Sequence, residues 1–273
     1  MRRQVSSVWP DWLLQAGREA LRAAGIQSRP IPDALWAATL QQYSFLDALD
    51  TDELAHLKKL SAAFLQHKQF TGAQGLEVTD EMAVAIAAQA CLPVLHLGLR
   101  WYRHFKGIVV HPGAMVAQRE ATDPAGVVHR YSEVLLGEAM VRGPVTLSWQ
   151  DVQAAGQSAG AGHNVVIHEF VHQLDMKDGV ADGCPPLHSA ALRQQWRMTM
   201  LPAFENFREK VALAERFGQP QPWLDAYGAT APAEFFAVAC EAYFVNRSQF
   251  TEDFPVLTAL FDDFFKRGGP LVN

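Results

Sequence analysis

His168-Glu169-Phe170-Val171-His172 sets two imidazoles four residues apart, with a carboxylate directly after the first. On an α-helix, positions four apart stand on one face a turn from each other. Both rings can then meet a single ion, each through a nitrogen about 2.0–2.1 Å away. Glu169 lies off that line. It can reach a water in the site without ligating the ion, which is where a general base must stand. The chemistry implied is hydrolysis assisted by zinc. A helix with incidental histidines would carry the same five letters. The context favours the metal: a strand pattern before, a helical pattern through 160–174 and the loop "DMKDGVADGCPP" after it.

Two neighbours are weighed beside the motif. His163 precedes His168 by five residues and is turned away from the shared face, so it reads as a helix-start residue. Asp175 follows His172 near the helix end. It is either a partner for an imidazole N–H or a solvated terminal carboxylate, and sequence leaves the two readings even.

Catalytic zinc needs a third protein ligand and an open fourth position. The extended pattern H-E-x-x-H-x-x-G-x-x-H would place a glycine and a histidine where this chain has Asp175 and Asp178. Asp178 can ligate, but the turn that returns the chain to the metal lacks its glycine. His188 is a second candidate, in a loop. The third is a glutamate in "APAEFFAVACEAYF", where Glu234 and Glu241 share one face of an otherwise apolar helix. A carboxylate there is costly to bury unless a cation faces it. Glu234 is favoured, because the first helical turn also favours an anion. Tyr227, seven residues earlier, is read evenly as an oxyanion donor or as loop packing.

The elements that must position these groups follow from pattern. "DTDELAHLKKLSAAFLQHKQF" reads as a helix with a capping box at Asp50 and Glu53. "VTDEMAVAIAAQACLP" reads as a helix capped by Thr79 and ended by Pro93. Residues 107–112, 131–137 and 144–152 read as strands, and 113–130 as a loop. A long helix over about 188–217 is expected to bend at Pro202. Pro232 opens the helix carrying Glu234, and a last helix runs to the "GGP" after residue 266. The expected fold is α+β, one mainly helical domain over 1–273 with a small sheet beside the motif helix. Residues 1–30 form an N-terminal extension.

With 49% hydrophobic and 19% charged residues, the 273-residue chain is globular. A net charge of -6 without a Lys/Arg block argues against nucleic acid as a partner. No apolar run is long enough for a membrane span, and Asp11, Arg18, Glu19 and Arg22 interrupt any signal-peptide core. Three widely spaced cysteines fit a reducing cytoplasm rather than a disulfide framework or thiolate zinc cluster.

"NVVIHEFVHQLDMKDGVADGCPPL", "YGATAPAEFFAVACEAYF", "AAQACLPVLHLGLRWY" and "VTLSWQDV" occur in an order that resembles the Mlc titration factor A family of bacterial zinc peptidases. The resemblance runs from about residue 30 to about 268. It implies a zincin-like metallopeptidase with an active site similar to that of the anthrax lethal factor catalytic domain. Carried onto this chain, it implies zinc on His168, His172 and Glu234, with Glu169 as general base and Tyr227 near the metal. It further implies aminopeptidase activity on peptides and binding of a glucose-responsive transcriptional repressor. Val171 and Gln173 depart from the family pattern, which has a small and a basic residue there. The substrate is expected to add as a strand beside "VTLSWQDV", if that strand is an edge.

Overall fold

The computed structural model describes residues 30–266, apart from 114, 123–127, 136 and 140–142 and the side chains of residues 115–139. Residues 1–29 of the N-terminal extension expected over 1–30, and the closing "GGP", lie outside the described residues.

The fold is α+β and mainly helical. Helix α1 (Asp33–Gln42) leads into α2 (Thr51–His67). The capping box opening α2 is as expected: Glu53 N donates to Asp50 Oδ1 at 2.8 Å and Asp50 N to Glu53 Oε2 at 3.1 Å. Strand β1 (Gln69–Gly72) precedes α3 (Asp80–Cys91), which Thr79 caps. Every residue of α3 from Met82 to Cys91 is buried, as its nearly uninterrupted apolar and alanine sequence demands.

Strand β2 (Gly107–His111) is where the β-branched run predicts it. Much of the stretch expected to be a loop is strand instead. Strand β3 (Met115–Thr122) pairs antiparallel with β4 (Val128–Leu135), Met115 opposite Leu135. Pro124 and Gly126, which suggested the loop, lie outside the described residues, and the pairing of the two strands is a tertiary interaction that such local signals do not report. The strand expected over 131–137 ends at Leu135, and a separate β5 (Gly137–Ala139) follows.

Strand β6 covers only Val145–Ser148. Trp149, Gln150, Asp151 and Val152, expected to extend it, open α4 (Trp149–Ser158), because Ser148 is a helix cap that accepts from Asp151 N. The sheet order is β1-β2-β6-β5, with the first three parallel and β5 antiparallel. Strand β6 is therefore interior, and a substrate strand cannot add beside it. Among the described residues the edges are β1 and β5.

Helix α5 (Val165–Asp175) carries the H-E-x-x-H motif and packs on β5 and β6, on α3 and on α7 (Pro232–Val245). Helix α6 (Ala190–Phe217) runs continuously through Pro202. The closing helix expected over 254–265 divides into α9 (Pro255–Phe261) and a π-turn (Asp262–Lys266), preceded by the short α8 (Arg247–Asp253). One hydrophobic core cluster draws buried residues from Ile31 near the start of the described chain to Phe265 near its end. No helix of the described residues is long and apolar enough to cross a membrane.

Candidate metal centre

Helix α5 begins where Asn164 accepts a hydrogen bond from Ile167 N at 2.9 Å. Its apolar face is sunk into the core. Phe170 packs against Phe64, Tyr102 and Phe105 with ring centroids 5.2–5.8 Å apart. Val166, Ile167, Val171 and Leu174 are fully buried beside it. That anchoring turns His168 and His172 toward α7, whose first turn presents Glu234.

The three side chains converge. His168 Nε2 lies 3.1 Å and His172 Nε2 3.2 Å from Glu234 Oε2, and the two imidazole nitrogens are 3.2 Å apart. Ligand atoms about 2.05 Å from a common tetrahedral ion would stand about 3.3 Å from one another, so the triangle has the size zinc requires. Two neutral imidazoles and a carboxylate are also a donor set that zinc accepts. Among the described residues this is the one group of three or more His, Cys, Asp or Glu side chains that can hold an ion.

Electrostatics points the same way. Burial opposes charge on His168, but Glu241, Glu234 and Glu169 outweigh it and hold its pKa well above the usual imidazole value. Burial and the charge of His168 keep His172 below that value against the pull of Glu234. Burial would raise Glu234, yet its hydrogen bonds to the two histidines hold it far below the ordinary carboxylate range. Without an ion, one proton on His168 is the cation the carboxylates face.

Glu169 is only 3% exposed and sits beside the cluster on the same helix. Tyr227 lies in a single 3₁₀ turn (Ala226–Ala229), where Asp225 Oδ1 accepts from Tyr227 N at 2.9 Å. The turn is wedged against α7: a Cβ at Gly228 would come within 3.3 Å of Val238 Cβ. The Tyr227 ring stands 6.1 Å from the His168 ring, centroid to centroid, and is 44% exposed.

Other candidates lie elsewhere. His188 and Asp178 are exposed, and Asp178 accepts from Val180 N at 3.2 Å. His163 Nδ1 is 3.5 Å from Asp225 Oδ2. Asp175 fits neither reading the sequence left open. It is fully buried, and its Oδ2 accepts from Gly183 N at 2.8 Å rather than from an imidazole. The imidazole partner is Glu241, whose Oε1 is 2.7 Å from His168 Nδ1. A carboxylate on the inward face of an apolar helix was the signal for it, read in sequence only as a possible ligand. Gln173, where the family pattern has a basic residue, is fully buried, and its Oε1 accepts from His104 Nε2 at 2.8 Å.

The family model described as "Glucose-regulated metallo-peptidase M90" matches residues 18–266. The chain is 36% identical over 239 residues to Mlc titration factor A of Cronobacter sakazakii, covering 86% of each chain. It is 36% identical over 223 residues to that of Escherichia fergusonii, covering 81% of each. To that of Salmonella arizonae it is 35% identical over 238 residues, covering 86% of this chain and 91% of the relative.

Proposed function

The chain belongs to the glucose-regulated metallo-peptidase M90 family, and on that premise we propose that it is a zinc-dependent, zincin-like peptidase of aminopeptidase type, acting in the cytoplasm. The observation that carries the reading is the triangle of His168 Nε2, His172 Nε2 and Glu234 Oε2, with edges of 3.1–3.2 Å. His168, His172 and Glu234 would hold zinc, which when bound supplies a Lewis acid that polarises a carbonyl and acidifies water.

This chain's own residues then move the protons. Glu169, placed beside the cluster and shielded from solvent, takes the proton from the attacking water. It delivers that proton to the leaving amine as the peptide bond breaks. The Tyr227 hydroxyl donates to the oxygen that gains charge at the tetrahedral stage. The half-exposed ring of Tyr227 beside His168 supports that placement. Three free, buried cysteines fit a reducing compartment.

A second reading is regulatory. The relatives' printed name, Mlc titration factor A, favours binding of Mlc as a further role of this chain. Glu169→Gln separates the two. The variant keeps fold and zinc and loses hydrolysis of short chromogenic aminoacyl substrates at least about a hundredfold. Full activity in Glu169→Gln rejects the proposed base. Persistence of Mlc binding in the inactive variant makes binding independent of hydrolysis.

A further inference from the structure

We infer that Glu241 is a positioning residue of the metal centre: it fixes the tautomer and orientation of His168 and completes the charge that a divalent ion needs. The inference rests on the zinc reading above and extends it to a residue outside the triangle.

Glu241 is two helical turns after Glu234 on α7, so both carboxylates face α5 from one rigid element. Both of its oxygens are engaged. Oε1 lies 2.7 Å from His168 Nδ1, and Oε2 accepts from Asn164 N at 2.5 Å. An ionised carboxylate only accepts, so Nδ1 carries a hydrogen, and Nε2, which faces His172 and Glu234, is the nitrogen left for an ion. That is the tautomer an Nε2 ligand requires.

The second contact ties this orientation to the helix itself. Asn164 is the residue that caps α5, and its Nδ2 donates to Gln89 Oε1 on α3 at 2.8 Å. Gln89 Nε2 in turn donates to Ala85 O at 3.1 Å. Glu241, Asn164 and Gln89 are 5%, 1% and 0% exposed. One buried polar chain thus joins α7, α5 and α3 behind the metal side of the site. It sets how far His168 stands from Glu234.

Charge explains why a carboxylate is used. No Lys or Arg is paired with Glu241 among the described residues. A buried carboxylate is costly unless a cation faces it. With two neutral imidazoles, the carboxyl groups of Glu234 and Glu241 are the acidic groups placed to balance a divalent ion. Glutamine in the same place offers one acceptor and one donor group. With an NH₂ where one oxygen stands, it faces either His168 Nδ1–H or the Asn164 N–H with a donor.

The test compares zinc dissociation constants, by chelator competition, for wild type, Glu241→Gln and Glu241→Asp, with circular dichroism as the check on fold. Glu241→Gln is expected to bind zinc about 10–100-fold more weakly, with kcat at saturating zinc changed much less. Unchanged zinc affinity in folded Glu241→Gln overturns the inference. If wild type binds no zinc, the zinc reading itself fails. Should Glu241→Gln not fold, ¹⁵N-histidine NMR of wild type with zinc decides. A protonated Nδ1 on His168 with Nε2 on the metal is expected, and the opposite tautomer refutes the role.

Discussion

The carboxylate of Asp175 accepts a hydrogen bond from the backbone N–H of Gly183 at 2.8 Å, and the Gly183 carbonyl accepts from Trp196 Nε1 at the same distance. One glycine thereby links the end of the motif helix to α6. Gly183 also lies against the start of the helix bearing Glu234: a Cβ there would sit 2.5 Å from Pro232 O.

The first prediction follows from that contact. Burial raises the Asp175 pKa from 3.8 to about 7. A group raised on folding stabilises most below its unfolded value, and that stability is lost as pH rises through the folded value. The window here is from about pH 4 to about pH 7, and the change is on the order of 4 kcal/mol at most. Asp175→Asn keeps an acceptor for Gly183 N and removes the titration. Urea unfolding of the metal-free chain at several pH values should show a slope in wild type that flattens in the variant. Equal slopes would mean Asp175 is ionised in the fold.

Gly183→Ala tests the same junction sterically. Gly183 has φ +76, in the left-handed region, and no space for a methyl group. Strain alone costs roughly 1–2 kcal/mol, and the clash with Pro232 adds to it. Because Pro232 begins α7, zinc affinity should fall along with Tm. A stable variant with normal zinc affinity would show that the loop moves independently of Glu234.

The ligand set is tested by removal. His168→Ala, His172→Ala and Glu234→Ala should each lose zinc, since two protein ligands do not hold it firmly. Asp178→Ala and His188→Ala should retain one zinc per chain by metal analysis. Zinc lost from Asp178→Ala and kept in Glu234→Ala would move the third ligand to the loop.

Much of this site could be read from sequence. The four-residue spacing of His168 and His172 is a statement about one helix, and that helix forms, though over Val165–Asp175 rather than from residue 160, because Asn164 caps it. Pro232 likewise marks the helix start that brings Glu234 forward. What depends on two elements facing each other could not be read. The partner of His168 is Glu241, seventy-three residues away, while the nearer Asp175 turns to a loop glycine. The β3–β4 pair was hidden for the same reason: the two strands are specified by each other, and the Gly and Pro in that stretch of sequence signalled a loop.

Metal binding should release a proton. Burial lowers His168, but Glu241 and its neighbours raise its pKa well above the ordinary imidazole value, so it is charged at neutral pH without an ion. Zinc must displace that proton, and its affinity should rise about tenfold per pH unit below the His168 pKa. Calorimetry at pH 7 in two buffers of different ionisation enthalpy should return about one proton released per zinc. Zero protons would show that His168 is already neutral in the empty site.

Tyr227 is the most exposed of the proposed catalytic groups, at 44%, with its ring 6.1 Å from that of His168. Tyr227→Phe removes the hydroxyl and keeps the ring, so stability and zinc content should hardly change. If the hydroxyl donates to the developing oxyanion, kcat falls about 10²–10³-fold, or roughly 2.7–4 kcal/mol. KM should stay nearly constant, because the ground-state carbonyl gains less from the donor than the transition state does. A packing role predicts a different pattern. The ring against His168 would persist in Phe, and kcat would stay within about threefold of wild type. Steady-state kinetics on a short aminoacyl substrate, run on zinc-saturated protein, separates the two. Loss of zinc in Tyr227→Phe would point instead to a hydroxyl that supports the ligands.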